Sequence, residues 1–218
     1  APKATSTDAA AVIVVTPKNA AGGAATESIL ATVSGTGLIG YGTNATTISA
    51  LGRALVIPAG NHIGVFADGT AGVGTITLTT LTGTVLATEK VTFYGDIATI
   101  EATAVKSVIA VGANTTTVKA VAKDASGVTV GAGTLYAYSS DVTTVSDSGT
   151  VATIVDGVAT FTITGAKAGG VAITVKSGTI ASAPVATRVE AAAATVKVSF
   201  DKEAYLQGEA ATIKVQVL

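Results

Sequence analysis

Apolar and polar residues alternate with a period of two in short runs along this chain. Thr75-Ile76-Thr77-Leu78-Thr79, Val171-Ala172-Ile173-Thr174-Val175 and Val196-Lys197-Val198-Ser199-Phe200 show the pattern most cleanly. Successive side chains of a strand point to opposite faces, so each run predicts a strand with one buried and one wet face. Such strands belong to antiparallel sheets. In Val158-Ala159-Thr160-Phe161-Thr162-Ile163-Thr164, Phe161 and Ile163 share one face and the threonines the other, provided the register slips at Ala159. Between the runs lie Asp124-Ala125-Ser126-Gly127, Asp147-Ser148-Gly149 and Asp156-Gly157, which are turn chemistry. Asp156-Gly157, flanked by apolar runs, predicts a hairpin. Short strands with turn signals every 8 to 12 residues or so predict a two-sheet sandwich. Residues 34–53 depart from the pattern: the segment is rich in Gly and Thr and uncharged until Arg53. It reads either as a strand with a long loop or as an ordered surface loop, and Leu38, Ile39 and Tyr41 point to a strand in part of it.

The pattern repeats with a period of about 95 residues, within the range of one domain per copy. Residues 53–78 and 150–175 carry the same units in the same order. A strand ends in a turn (Pro58-Ala59-Gly60, Asp156-Gly157), a second strand carries a Phe (Phe66, Phe161), and a small-residue turn leads to Thr-Ile-Thr-Leu or Ala-Ile-Thr-Val. A further copy starts late, because Gly208–Val217 is similar to Gly112–Val121. These matches predict domains over 8–95 and 96–190, and the opening of a third over 191–218. The predicted seams, 94–98 and 189–192, are too short to behave as a flexible linker.

Composition narrows the class. Thr, branched at Cβ and suited to strands, makes up roughly a sixth of the 218 residues. Charged residues are 12% and nearly balanced, at net −1. No basic stripe could track a phosphate backbone, so nucleic acid is not an expected partner. No apolar run reaches the roughly 18 to 20 residues that span a bilayer as a helix. With no Cys, thiol chemistry and disulfides are excluded. The first residues are Ala1-Pro2-Lys3-Ala4, as expected of a chain whose leader has been removed or whose start lies inside a longer protein.

Two stretches resemble bacterial immunoglobulin-like domains of the invasin and intimin type. One is Thr117-Val118-Lys119-Ala120-Val121-Ala122-Lys123-Asp124-Ala125-Ser126-Gly127-Val128-Thr129-Val130. The other runs from Asp156-Gly157-Val158-Ala159-Thr160-Phe161 to Lys167-Ala168-Gly169. Tyr205-Leu206-Gln207-Gly208-Glu209 is similar to the opening of a further such domain. The resemblance covers about half of the chain. It implies an all-β fold of tandem immunoglobulin-like β-sandwich domains, and a secreted, extracellular or cell-surface setting in rod-like arrays. The Thr/Ala/Val-rich, Cys-free composition also resembles surface-layer proteins.

Candidate chemistry is sparse. His62, the single His, follows Gly60-Asn61 and reads as an exposed turn residue; a triad needs a base held beside a nucleophile, and nothing marks one. The acids fall mostly in turns or near seams. Asp96 and Glu101 at the first seam, and Asp201 and Glu203 past the second, are the candidates for calcium, which takes several converging oxygens. Gly35-x-Gly37-x-x-Gly40 matches a phosphate-loop pattern by letter but lacks its strand-to-helix setting. Asn44-Ala45-Thr46 and Asn114-Thr115-Thr116 are sequons. Tyr41, Tyr94, Tyr136, Tyr138 and Tyr205 form no cluster in sequence and read as core or seam packing. The expected function is therefore structural and non-enzymatic, with no catalytic, cofactor or metal residue assigned and with copies of the chain as partners. An adhesin or carbohydrate-binding module recognising surface glycans is the alternative. The two strands expected over 196–217 are too few to be stable alone in water. They require a continuing chain, remain unfolded, or complete a neighbouring copy by strand addition.

Overall fold

The structure, a computed structural model, describes residues 1–44, 46–146, 148–191 and 195–217. Every regular element among them is a strand. The turn position Asp147, residue Ala45 of the first sequon and Ala192 of the second seam lie outside the described residues.

The first sandwich is built from β1 (Ala11–Ile13), β2 (Ile29–Gly35), β3 (Leu38–Gly42), β4 (Ala54–Ile57), β5 (His62–Phe66), β6 (Gly72–Thr80) and β7 (Val85–Phe93). They form a small sheet ordered β1-β5-β3 and a large one ordered β4-β2-β6-β7. The second comprises β8 (Thr99–Ala104), β9 (Val108–Ala110), β10 (Gly112–Lys123), β11 (Gly133–Ser139), β12 (Thr150–Ile154), β13 (Ala159–Gly165), β14 (Gly169–Ser177), β15 (Ile180–Ala181) and β16 (Val185–Glu190). Its sheets are β13-β10-β8 and β12-β11-β14-β16-β9, with β15 beside β14. All pairings are antiparallel except β9 with β16. This is an immunoglobulin-like arrangement, in which the chain repeatedly crosses between two packed antiparallel sheets.

Alternation places the cores. In β13, Ala159, Phe161 and Ile163 are buried while Thr160 and Thr162 face water. Ala159 keeps the register, so the slip expected there does not occur. One core gathers Ile39, Ile57, Ile63, Val65, Ile76 and Phe93; the other gathers Val118, Leu135, Phe161, Ile163, Ile173 and Val175. Each buried aliphatic or aromatic side chain contributes roughly 1.5 to 3 kcal/mol over its exposed state.

Two expectations are corrected. Asp156-Gly157 does make a tight turn, with φ of 51° and 83°, as a two-residue hairpin requires. The flanking strands nevertheless part after one bridge, Val155 to Val158, and enter opposite sheets. Both carry apolar residues that must reach the core from opposite sides, and that outweighs continued pairing. His62 is not an exposed turn residue. It is the first residue of β5 and half-buried.

The Gly-rich segment is a packing device. β2 ends at Gly35, β3 crosses to the small sheet, and the chain returns with Ile48 buried. A Cβ on Gly40 would sit 1.7 Å from the Ser49 carbonyl oxygen, and one on Gly35 would sit 2.2 Å from that of Val73. Backbone passes directly over backbone, so no side chain fits. Gly40→Ala should destabilise the first sandwich by about 1–3 kcal/mol, the usual cost of overpacking. Calorimetry should show one transition moving down while that of the second sandwich stays; two unmoved transitions would contradict the packing role.

Candidate functional site

The seam between the sandwiches brings together both cores, a buried carboxylate and an ion pair. Phe93 and Tyr94 are successive residues, so their side chains point in opposite directions. Phe93 is fully buried in the first core, and Tyr94, 5% exposed, belongs to the second. The chain thus leaves one core and enters the next across a single peptide bond. Backbone bonds fix this point: Tyr94 N–H donates to the Pro2 carbonyl at 3.0 Å, and Ala4 N–H donates to the Tyr94 carbonyl at 2.8 Å. Ala1 lies against Gly131 of the second sandwich, where a Cβ would meet the Ala1 carbonyl oxygen at 2.7 Å.

Asp124 locks the arrangement. Its Oδ1 accepts from Ser126 N–H and Val128 N–H, both at 2.9 Å, which shapes the turn after β10. Its Oδ2 accepts from Gly95 N–H at 2.8 Å, across the seam. The residue is 4% exposed. Burial alone would raise its pKa, but the N–H donors of Gly95, Val128 and Ser126 outweigh it and hold the carboxyl below the ordinary aspartate value. Lys3 and Asp96 also pair across the seam at 3.1 Å, but both are well exposed. Exposed pairs are worth about 0–1 kcal/mol, against about 1.5–3 kcal/mol for a hydrogen bond to a charged group. Asp124 therefore dominates the polar part of the seam.

The first sandwich contains the control. Asn19 accepts from Ala21 N–H at 3.0 Å and Gly23 N–H at 2.9 Å through Oδ1, and Lys18 bridges Ala24 as Lys123 bridges Thr129. The turn is the same. An amide nitrogen stands where Asp124 presents its second oxygen, and Asn19 is exposed. The shared Lys-Asn/Asp-x-x-Gly pattern was present in both repeats, and comparison of 18–22 with 123–127 would have found it.

The other candidates are dispersed. Glu101 pairs with Lys123 at 2.8 Å, so the two first-seam acids serve different cations. Asp201 accepts from the Tyr205 hydroxyl and from Thr212 N–H, and Glu203 is exposed. Glu209 accepts from Leu206 N–H at 3.0 Å and pairs with Lys202, so the Tyr-x-x-Gly-Glu stretch builds the loop between β17 (Val196–Phe200) and β18 (Ile213–Val217). Asp141 accepts both the Thr143 and Thr144 hydroxyls at 2.7 Å, and these bonds lower its pKa to about 2. Among the described residues, no three His, Asp or Glu side chains are grouped as a metal site would need. Asn114 is committed to structure: its Nδ2 donates to the Ala110 and Gly112 carbonyls at 2.8 and 2.7 Å. Asn44 is exposed. Tyr136 and Tyr138 share the outer face of β11 and are 38% and 37% exposed, with Lys176 Nζ 5.2 Å from the Tyr138 ring centre. They form an exposed pair rather than core or seam packing. The spacing of two in a strand was the signal.

No family model matches the chain, and no curated protein matches it. Solved structures do. Domains 4–9 of the surface layer protein SbsC align at 19% identity over 94% of this chain and 30% of that one, with a TM-score of 0.38. FdeC, an Escherichia coli adhesin, aligns at 20% identity over 88% of this chain and 59% of its own, with a TM-score of 0.42. Invasin, a bacterial integrin-binding protein, aligns at 17% identity over 95% and 45%, with a TM-score of 0.39. The chain spans less than two thirds of each of these structures. At these identities the likeness is one of fold.

Asp124→Asn should keep the turn, as Asn19 does, and lose the seam bond. Small-angle scattering should then show a broader distribution of sandwich-to-sandwich distances with both sandwiches folded; an unchanged profile would contradict the locking role. The pH dependence has a definite sign. A depressed folded-state pKa contributes stability above the ordinary aspartate value of 3.8, and loses it as pH falls through the lower folded value. The seam should hold at pH 4 and loosen only below it.

Proposed function

We propose that this chain is a structural, non-enzymatic part of a bacterial cell surface, in which rigidly joined sandwiches space or tile an extracellular layer or fibre. The observation that carries this is the seam: a residue buried in each core on either side of one peptide bond, and a buried carboxylate bonded across it. A seam of this kind transmits orientation from one domain to the next, as an array requires and as an independently acting module does not. The resemblance of residues 117–130 and 156–169 to invasin- and intimin-type domains supports the surface setting. Thr-rich outer faces suit repeated modules that stay soluble at low net charge.

A second reading rests on the Tyr136–Tyr138 pair. Two aromatic rings on one strand face, beside a lysine, offer a platform for a sugar ring, which is the adhesin alternative.

Negative-stain microscopy of the purified chain, with and without a calcium chelator, separates the two. The structural reading predicts sheets, tubes or filaments with a regular repeat. It also predicts that they survive the chelator, because Asp96 and Glu101 are held by Lys3 and Lys123. Dispersed short rods in both conditions, with glycan binding abolished by Tyr136→Ala and Tyr138→Ala together, would favour the adhesin.

A further inference from the structure

A polar and aromatic track runs along the outer face of the second sandwich and begins at the seam. Thr134, Tyr136 and Tyr138 alternate with the buried Leu135 and Ala137 along β11, so all three point outward. From Thr134 to Tyr138 the track covers about 13 Å, at 3.3 Å per residue. At the Thr134 end lies a cavity of about 350 Å³, the small end of the range for ligand pockets. Lys3 and Asp96 line it on the seam side, Thr134 and Ser177 on the side of the second sandwich. The ion pair and the two hydroxyls both donate and accept hydrogen bonds, as sugar hydroxyls do.

At the other end stand the two exposed rings and a lysine. Lys176 lies directly opposite Tyr136 in the register of β11 and β14, and its Nζ reaches across to the Tyr138 ring. Among the described residues no carboxylate pairs with it. Val151, Thr153 and Thr174, which share this face on β12 and β14, are neutral. Asp141, just past β11, is engaged by the Thr143 and Thr144 hydroxyls. Water alone would satisfy a surface lysine. Lys176 differs in its setting, with exposed ring faces beside it and a polar cavity in line with them.

We propose that β11 is the floor of a binding site for an acidic oligosaccharide. One sugar occupies the seam cavity against Thr134 and Ser177. The chain then runs along β11 with its C–H faces on Tyr136 and Tyr138, and a carboxylate meets Lys176. Tyrosine offers an apolar ring face with a polar tip, which matches the C–H face and hydroxyl edge of a sugar. An apolar peptide would leave the cavity's ion pair and hydroxyls facing carbon, which is costly. A neutral sugar would leave Lys176 unused. The proposal rests on the second reading above and names its ligand, and it is independent of whether copies of the chain assemble. The cavity has walls on both sides of the seam, so the bound chain bridges the sandwiches, and their rigid junction keeps the site formed before the ligand arrives.

Isothermal titration of the full chain tests this, against a panel of uronate- and sialate-bearing oligosaccharides, each beside its carboxyl-reduced neutral form. Acidic members should bind about three- to fivefold more tightly than their neutral forms, the scale of an exposed ion pair. Lys176→Gln should bring that ratio to about one and leave the neutral affinity unchanged. Tyr136→Ala should weaken both forms about tenfold, whereas Tyr136→Phe, which keeps the ring, should not. Each variant should keep the thermal transition of the second sandwich, because these side chains lie outside its core. Equal binding of acidic and neutral forms, or a preference that survives Lys176→Gln, would overturn the acidic ligand and leave the tyrosine platform standing. Binding indifferent to Tyr136→Ala would put the sugar elsewhere and overturn the site. No binding by any member of the panel would overturn the proposal and the second reading together.

Discussion

The structure depends on the alternation of side chains across a strand continuing through the point where one domain becomes the next. Phe93 completes the first core and Tyr94 enters the second because neighbouring residues of an extended chain face opposite ways. Nothing between them can act as a hinge without withdrawing one ring from its core. The rest of the seam reinforces that constraint. Residues 2 and 4 bond the Tyr94 backbone, and Asp124 reaches over to Gly95. A carboxylate so placed retains its charge because three N–H groups point at it, which is how a buried anion becomes tolerable.

The same turn serves two purposes in the two repeats. With Asn19 it only reverses the chain; with Asp124 it also joins domains. In the Asn19 turn an amide nitrogen stands where Asp124 places the carboxylate oxygen that accepts from Gly95 N–H. Modularity of this kind suits tandem repeats, because each sandwich buries its own core and the seam chemistry is added at a turn.

Much of the fold was legible in the residues. Period-two runs such as 75–79 and 171–175 became central strands β6 and β14, because one face of each had a core to meet. The crossing after Asp156-Gly157 was not legible, since a turn sequence reports local backbone geometry and not which sheet each flanking strand will join. Gly35 and Gly40 suggested a loop but not its reason, which is the approach of Val73 and Ser49 from distant positions. Tyr94 read as seam or core and proved to be both. The exposed pair Tyr136–Tyr138 was not legible from the scarcity of tyrosines; it shows only in their shared parity along β11. The run 196–200 alternates as cleanly as any, yet both its faces are exposed. Alternation specifies which face seeks burial, and the covering surface must come from elsewhere.

The central claim is that the two sandwiches tumble as one body. Backbone ¹⁵N relaxation across residues 1–190 tests it most directly. The account predicts a single rotational diffusion tensor that fits both sandwiches, elongated along one axis. Two separate tensors, each of the size expected for one sandwich alone, would contradict it.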